Sequence, residues 1–306
     1  MTGAFTGRNV GSIVVYSIIS GLGLAWLVTL IIIPMLAMAF EFTLQHIVSL
    51  LFDLLITVLV IVAILHNGLN IISQAGRGVK KLEVKEKIKR FSLNQRIQHL
   101  GILITVAISA VTGFAQQYYE AWGRAIIVPM GGLQVSMNLH LASAFFMGIL
   151  VAYHFAFYAA SYITKRVRGI PVRLDIMFGR KDVSDFLKNL RYMLGGRERP
   201  RFGRYNYMQK FDYWGIYWGI LILGVPGVIL WIYGNTFLAG LPFIFHTKEA
   251  MLAVLWLWLF HIYQTHFNPR KFPVDGVFLT GSLSERDMTE EHPLELERIR
   301  AGGETK

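Results

Sequence analysis

Residues 136–165 read SMNLHLASAFFMGILVAYHFAFYAASYITK, and residues 243–267 read FIFHTKEAMLAVLWLWLFHIYQTHF. Each run is long enough to cross a bilayer, which takes ~20 apolar residues. Each also carries a widely spaced histidine pair: His140 and His154, 14 residues apart, and His246 and His261, 15 apart. At about 100° and ~1.5 Å per residue, the members of a pair return to roughly one helix face, ~21–23 Å apart along the axis. That spacing sets one imidazole in each leaflet of a hydrocarbon core ~30 Å thick. Ionisable side chains inside spans are rare and mark cofactor, ion or proton sites.

Working outward, six apolar segments stand out, at about 10–40, 42–75, 96–119, 136–165, 211–234 and 243–267. The chain of 306 residues is 54% hydrophobic and only 16% charged, where a soluble domain carries about a quarter charged residues. The reading is an all-α integral membrane protein of six transmembrane helices. The first two segments exceed a bilayer's thickness and are expected to tilt or project beyond it. Pro34 is expected to kink the first, which reads as a retained span rather than a signal peptide. Residues 1–80 thus hold two N-terminal spans, 81–267 a four-helix core (its helices within about 90–267), and 268–306 a charged tail.

The net charge of +11 resides in loops, as membrane orientation requires, and does not imply a nucleic-acid partner. Segments 76–98, 165–210 and 268–306 hold almost all Lys and Arg, whereas the other three loops hold Arg124 alone, with Lys248 just inside the last span. By the positive-inside rule both termini and both basic loops are cytoplasmic. In the loop 165–210, Val183, Phe186, Leu187, Leu190 and Leu194 alternate with charges, the pattern of a surface amphipathic helix. The tail is expected to be an extended arm without a core. The chain contains no cysteine, which removes disulfides, zinc–thiolate centres, iron–sulfur clusters and covalently attached haem.

Depth along the spans selects partners. His140 and His246 both open their spans on the outer side and can share one haem iron. His154, His261 and His99 lie toward the cytoplasm, three candidates for a second iron. Bis-imidazole ligation saturates haem iron, so such a group carries electrons. His66 reads as structural, with a third haem facing His154 as its alternative. His46 and His266 read as interfacial, and His292 as solvated. Arg96, one turn before His99, can pair with a haem propionate or snorkel to the interface.

The stretch RFSLNQRIQH (90–99) leading to Thr112-Gly113, MNLH (137–140), RYNYMQK (204–210) and HTKEA (246–250) through His261 resemble the cytochrome b (gamma) subunits of membrane-bound formate dehydrogenases and nickel–iron hydrogenases. The resemblance covers about residues 88–270. It implies a diheme four-helix core binding two b-type haems, the inner on His99 and His261 and the outer on His140 and His246. It also implies a quinone pocket, menaquinone or ubiquinone, at Asn206, Gln209 and His261, with Asp212 as proton relay. Its partners would be an iron–sulfur or multihaem subunit and a catalytic subunit on the periplasmic side of a bacterial or archaeal cytoplasmic membrane. The chain would then be an electron-transfer subunit of an oxidoreductase rather than a stand-alone enzyme. His154 departs from that pattern, where it becomes a propionate contact or a third-haem ligand. Leu100, where Trp often follows the ligand, Pro226-Gly227, where Thr-Gly is usual, and the two extra N-terminal spans also depart. The competing readings are a haem-free proton or anion transporter and a structural membrane anchor.

Overall fold

A computed structural model describes residues 7–38, 43–77, 87–164 and 175–301. The protein is an all-α membrane protein, and six of its helical stretches are long and apolar enough to cross a bilayer: Val10–Leu36, Leu44–Ala75, Leu93–Gln117, Leu133–Thr164, Tyr207–Tyr233 and Phe237–Phe267. These match the six expected segments, although the fifth starts about one turn and the sixth nearly two turns earlier than expected. The side chains that stay exposed along them, such as Ile18, Leu51, Phe145 and Trp231, are apolar. A helix in lipid satisfies its own backbone and needs no further polar partner on that face. The chain divides into two compact units.

The first unit takes Met1–Val84, Asp175–Asp275 and Thr289–Glu295. Helix α1 (Gly7–Leu27) runs through a π-helical turn, Val28–Ile32, into α2 (Ile33–Met38). The irregularity has a local cause in Pro34, which lacks an N–H and crowds the carbonyl four residues back. In answer, Ile33 N–H reaches five residues back to Val28 O, the π register. Helix α3 (Leu44–Arg77) is 34 residues long. Tyr16, Ile71 and Tyr263 form a buried cluster joining α1, α3 and the last span, with Ile13 and Phe267 packed on it. Asn67, fully buried, donates to Leu259 O at 2.8 Å and accepts from Gln264 Nε2 at 3.0 Å. Asp53, also fully buried, receives Lys248 Nζ at 2.6 Å. The Asp53–Lys248 ion pair joins the second span to the last.

The second unit takes Lys85–Leu174, Gly276–Met288 and Leu296–Lys306. Strand β1 (Lys87–Lys89) precedes α4 (Leu93–Gln117). A π-helical turn, Tyr119–Gly123, and α5 (Arg124–Met130) lead to α6 (Leu133–Thr164). In the first unit, the basic loop contains α7 (Arg180–Met193), followed by α8 (Tyr207–Tyr233). The sixth span is α9 (Leu241–Trp256) continued by π-helical stretches Leu257–His261 and Tyr263–Phe267. The tail holds α10 (Val277–Thr280), β2 (Ser282–Ser284), α11 (Glu285–Glu291) and α12 (Pro293–Arg300).

The amphipathic helix forms where expected, with its polar row turned inward. On α7, Asp182 and Asp185 are each 6% exposed and Asn189 8%, while Val183 is 64% and Leu187 53% exposed. Lys210 Nζ meets Asp182 at 2.9 Å and Asn189 Nδ2 donates to Tyr207 Oη at 2.9 Å, tying α7 to α8. The apolar row is therefore presented outward, as an interfacial helix presents its lipid face.

The tail corrects two expectations. It has a core of its own: Leu283, Met288 and Leu296 are buried, with Ile88, Val277 and Ile299 against them. Strand β2 pairs antiparallel with β1, Ile88 opposite Leu283. Gly281 accepts from the backbone N–H groups of Arg90 and Phe91 at 2.8 and 2.9 Å. It lies at φ +75°, and a Cβ there would fall 2.5 Å from Phe91 O, so only glycine fits. His292, expected in solvent, is fully buried and donates from Nδ1 to Gly203 O at 2.8 Å. The charges that made the tail read as solvated find partners within the tail and on the basic loop. Lys271 meets Asp275 and Glu291, each at 3.2 Å, and Arg204 meets Glu295 at 2.7 Å.

Two outcomes follow. Asp53→Ala leaves the half-buried Lys248 ammonium without its partner and should destabilise the protein by about 1–3 kcal/mol. Asp53→Ala with Lys248→Met should recover most of that loss, read as thermal midpoints in detergent. Burial alone would raise the Glu291 carboxyl, but Lys271, with His292, Arg199 and Arg270, outweighs it and holds the carboxyl at about 2 against an ordinary 4.5. A depressed folded pKa contributes stability that is fully present above the unfolded value and is lost as pH falls toward the folded one. Stability should therefore drop between pH 4.5 and about 2, and Glu291→Gln should flatten that acid limb.

Candidate functional site: two histidine hairpins

The four paired histidines lie on two helical hairpins, α4–α6 in the second unit and α8–α9 in the first. In α4–α6, Ser92 caps α4 and forms a reciprocal capping box with Gln95. Gln95 Nε2 then reaches Tyr158 Oη at 2.8 Å. Helix α4 turns Gln98, Thr105, Thr112 and Ala115 into the protein, and α6 turns in Ser136, Ser143, Met147, His154 and Ser161. These small and polar side chains let the two helices approach closely.

His140 lies against Gly113. A Cβ on that glycine would be 3.0 Å from His140 Cε1. The open face lets His140 Nδ1 reach Ser109 O at 3.1 Å and Thr112 Oγ1 at 3.0 Å. Thr112 spends its own proton on Ile108 O at 2.7 Å, so the proton shared with His140 belongs to Nδ1. His154 is 9% exposed, and its Nδ1 meets Gln98 Oε1 at 2.7 Å. Both imidazoles thus carry their proton on Nδ1, which sets the lone pair on Nε2, the nitrogen that ligates a metal in this tautomer.

The α8–α9 hairpin uses the same device. His246 lies against Gly227, 3.1 Å from a Cβ there to its Cε1, and donates from Nδ1 to Leu223 O at 2.9 Å. Pro226, lacking an N–H, already loosens the helical ladder at this turn. His261 Nδ1 meets Asp212 Oδ2 at 2.5 Å, and Trp256 Nε1 donates to the other carboxylate oxygen at 3.0 Å. A ligand imidazole bonded to a carboxylate in this way is held in orientation and made more basic.

The remaining sequence candidates fall in different places. His99 is exposed on α4, one residue past Gln98 and about 100° around the helix from the row that faces α6, with its ring 6.1 Å from that of Phe278. His66 has both ring nitrogens engaged, Nδ1 with Asn67 Oδ1 at 3.2 Å and Nε2 with Tyr207 Oη at 3.4 Å. That is the arrangement of a structural histidine. Arg96 donates to Leu279 O and so pins the tail to α4. Asn206 and Gln209 form the capping box of α8: Gln209 N donates to Asn206 Oδ1 at 2.8 Å and Asn206 N to Gln209 Oε1 at 3.1 Å. Their amide oxygens are therefore committed to the backbone. Among the described residues, no three His, Cys, Asp or Glu side chains gather around a bare metal ion.

Two site residues, Gln98 and Glu249, escaped the sequence reading. Gln98, the acceptor for His154, is an ordinary polar residue beside a more conspicuous histidine. Glu249, 6% exposed, sits with its Oε1 3.0 Å from where a Gly219 Cβ would be. Gly113 and Gly227, which enter the sequence reading only in the motifs of the resemblance, act as cradles for His140 and His246. Each hairpin by itself suits haem ligation on two counts: its imidazoles are oriented by protein acceptors, and a glycine makes room beside one of them. Among the described residues, Gln98 Nε2 is also buried without a hydrogen-bond partner, an orphaned donor of the kind an anionic propionate satisfies.

The cradles make a specific expectation. In Gly113→Ala the new methyl must push the His140 ring back by a few tenths of an ångström, weakening the Nδ1 bond to Ser109 O. Any group held by His140 should bind about 10–100-fold more weakly, as when an outer-shell partner is lost, with helix content unchanged by circular dichroism. Unaltered affinity would show that the cradle is only packing. The sequence matches no protein-family model and no curated protein.

Proposed function

We propose that this chain is a membrane cytochrome b, an electron-carrying subunit that links a redox partner on one side of the bilayer to quinone near the other. The observation that carries the reading is the repeated preparation of His140, His154, His246 and His261. Each donates from Nδ1 to a protein acceptor and so presents Nε2 as a ligand, at two heights along the spans. Such care over tautomer and orientation is what a ligand imidazole needs. Bis-imidazole haem, when bound, supplies a one-electron carrier whose potential follows its axial ligands, their hydrogen bonds and burial.

In this reading His140 and His246 are haem ligands on the less basic side, and His261 is one on the basic side. The protein's part is to hold the imidazoles, exclude water with apolar spans and tune basicity through Asp212. The quinone pocket expected at the start of α8 narrows to Asp212 and His261, with the amide N–H groups of Asn206 and Gln209 as donors. Asp212, bonded to His261, is the residue there suited to accept a proton. By the positive-inside rule the basic side is cytoplasmic, with both termini there, in a bacterial or archaeal membrane. An iron–sulfur or multihaem partner and a catalytic subunit would then dock on the opposite side. The buried Asp53–Lys248 pair does not favour a transporter over this reading, since each charge there neutralises the other.

The purified chain, made with ample haem supply, should show a reduced-minus-oxidised b-type spectrum and two haems per chain. His140→Ala and His246→Ala should each remove one haem, and the double variant no more than one. A colourless protein sinks the proposal, and so does a chain in which both variants keep two haems.

A further inference from the structure

The two hairpins are copies of one another. RFSLNQR (90–96) and RYNYMQK (204–210) begin α4 and α8, and Ser92, Gln95, Gln98, Ser109 and Gly113 recur as Asn206, Gln209, Asp212, Leu223 and Gly227, each 114 residues later. No gap interrupts this alignment (92 to 206, 113 to 227). The equivalence is physical as well as positional. Ser92–Gln95 and Asn206–Gln209 are both reciprocal capping boxes. His140 bonds the carbonyl four residues before Gly113, and His246 bonds the carbonyl four residues before Gly227. His154 bonds the side chain of residue 98, and His261 the side chain of residue 212.

One mismatch tests the equivalence. His140 and His154 are 14 apart, but His246 and His261 are 15 apart. An extra residue in an α-helix turns everything beyond it by about 100°, which would swing His261 off the face that meets Asp212. Helix α6 is α-helical throughout Leu133–Thr164, whereas the sixth span changes to π geometry over Leu257–His261. A π turn holds one more residue than an α turn. The insertion is absorbed in the turn that ends at His261, and the two histidines regain matching places.

We infer that His154, not His99, is the iron ligand that the α4–α6 hairpin supplies on the basic side, as the counterpart of His261. His99 aligns with Tyr213, which has no imidazole, so the repeat gives His99 no ligand counterpart. His154 has the Nδ1 acceptor that the other three ligands share. The inference rests on the haem reading above and changes its ligand set. It also assigns Gln98 as the positioning residue for His154, where Asp212 does that for His261.

The test uses the full-length purified chain and reads haem per chain and midpoint potentials. His154→Ala should bind one haem, and His99→Ala should bind two. The reverse result overturns the assignment while leaving the haem reading standing, and two haems in both variants does the same. Absence of haem from the unsubstituted chain removes the haem reading and this inference with it. His154→Met keeps a ligating side chain where alanine leaves a cavity. It should retain two haems with one potential raised, because methionine–histidine ligation raises haem potential. Two potentials equal to those of the unsubstituted chain would overturn the assignment.

Discussion

A proton on Nδ1 is the constraint on which the hairpins depend. An imidazole inside a bilayer span has no water to satisfy it, so its N–H must find an acceptor on a neighbouring helix, whose backbone carbonyls are mostly committed to their own ladder. Two solutions occur here. His140 and His246 reach a carbonyl that also belongs to a helix turn, which requires a glycine four residues on so that the ring can approach. His154 and His261 take a side-chain oxygen, from Gln98 and Asp212. The helix contacts, the glycines and the π turn at Leu257–His261 are all arranged around those four bonds.

The same scarcity of partners explains the polar groups elsewhere in the spans. Asp53 and Lys248 neutralise one another, and Asn67 uses its amide to bridge Leu259 O and Gln264. The lipid-facing rows of the helices are left apolar. At the basic end the rule reverses. There α7 turns Asp182, Asp185 and Asn189 toward the protein and keeps Val183 and Leu187 outside. A helix whose protein contacts are ion pairs and whose free face is apolar suits the boundary between hydrocarbon and headgroups, where both kinds of surface find a match.

The two hairpins differ where their chemistry would differ. Residue 98 is an amide and residue 212 a carboxylate, so one imidazole is oriented by a neutral acceptor and the other by an anionic one. The residues four before each glycine are Ser109 and Leu223, which differ in side chain while offering the same backbone carbonyl. A repeat that keeps backbone acceptors and varies side chains is hard to see by identity alone. RFSLNQR and RYNYMQK share only Arg and Gln in register, yet each pair of caps performs one task.

Hydropathy, length and the placement of Lys and Arg determined the six spans and the all-α class, because a helix in lipid must bury nothing but its own backbone and the cost of charge in hydrocarbon is legible residue by residue. The histidine spacing was equally legible, since it needs only the rise and turn of a helix. Partner identity was not. Whether His66 is structural, whether Asn206 and Gln209 cap a helix, which face of α7 looks inward and whether the tail has a core all depend on contacts between residues far apart in the chain. His292 and His154 show the limit most clearly. A charged neighbourhood hid one burial, and a more conspicuous His99 drew attention from Gln98 beside it. Only the tertiary structure could show that position 98 answers to position 212, because that correspondence lies in which atom accepts a proton and not in which letters repeat.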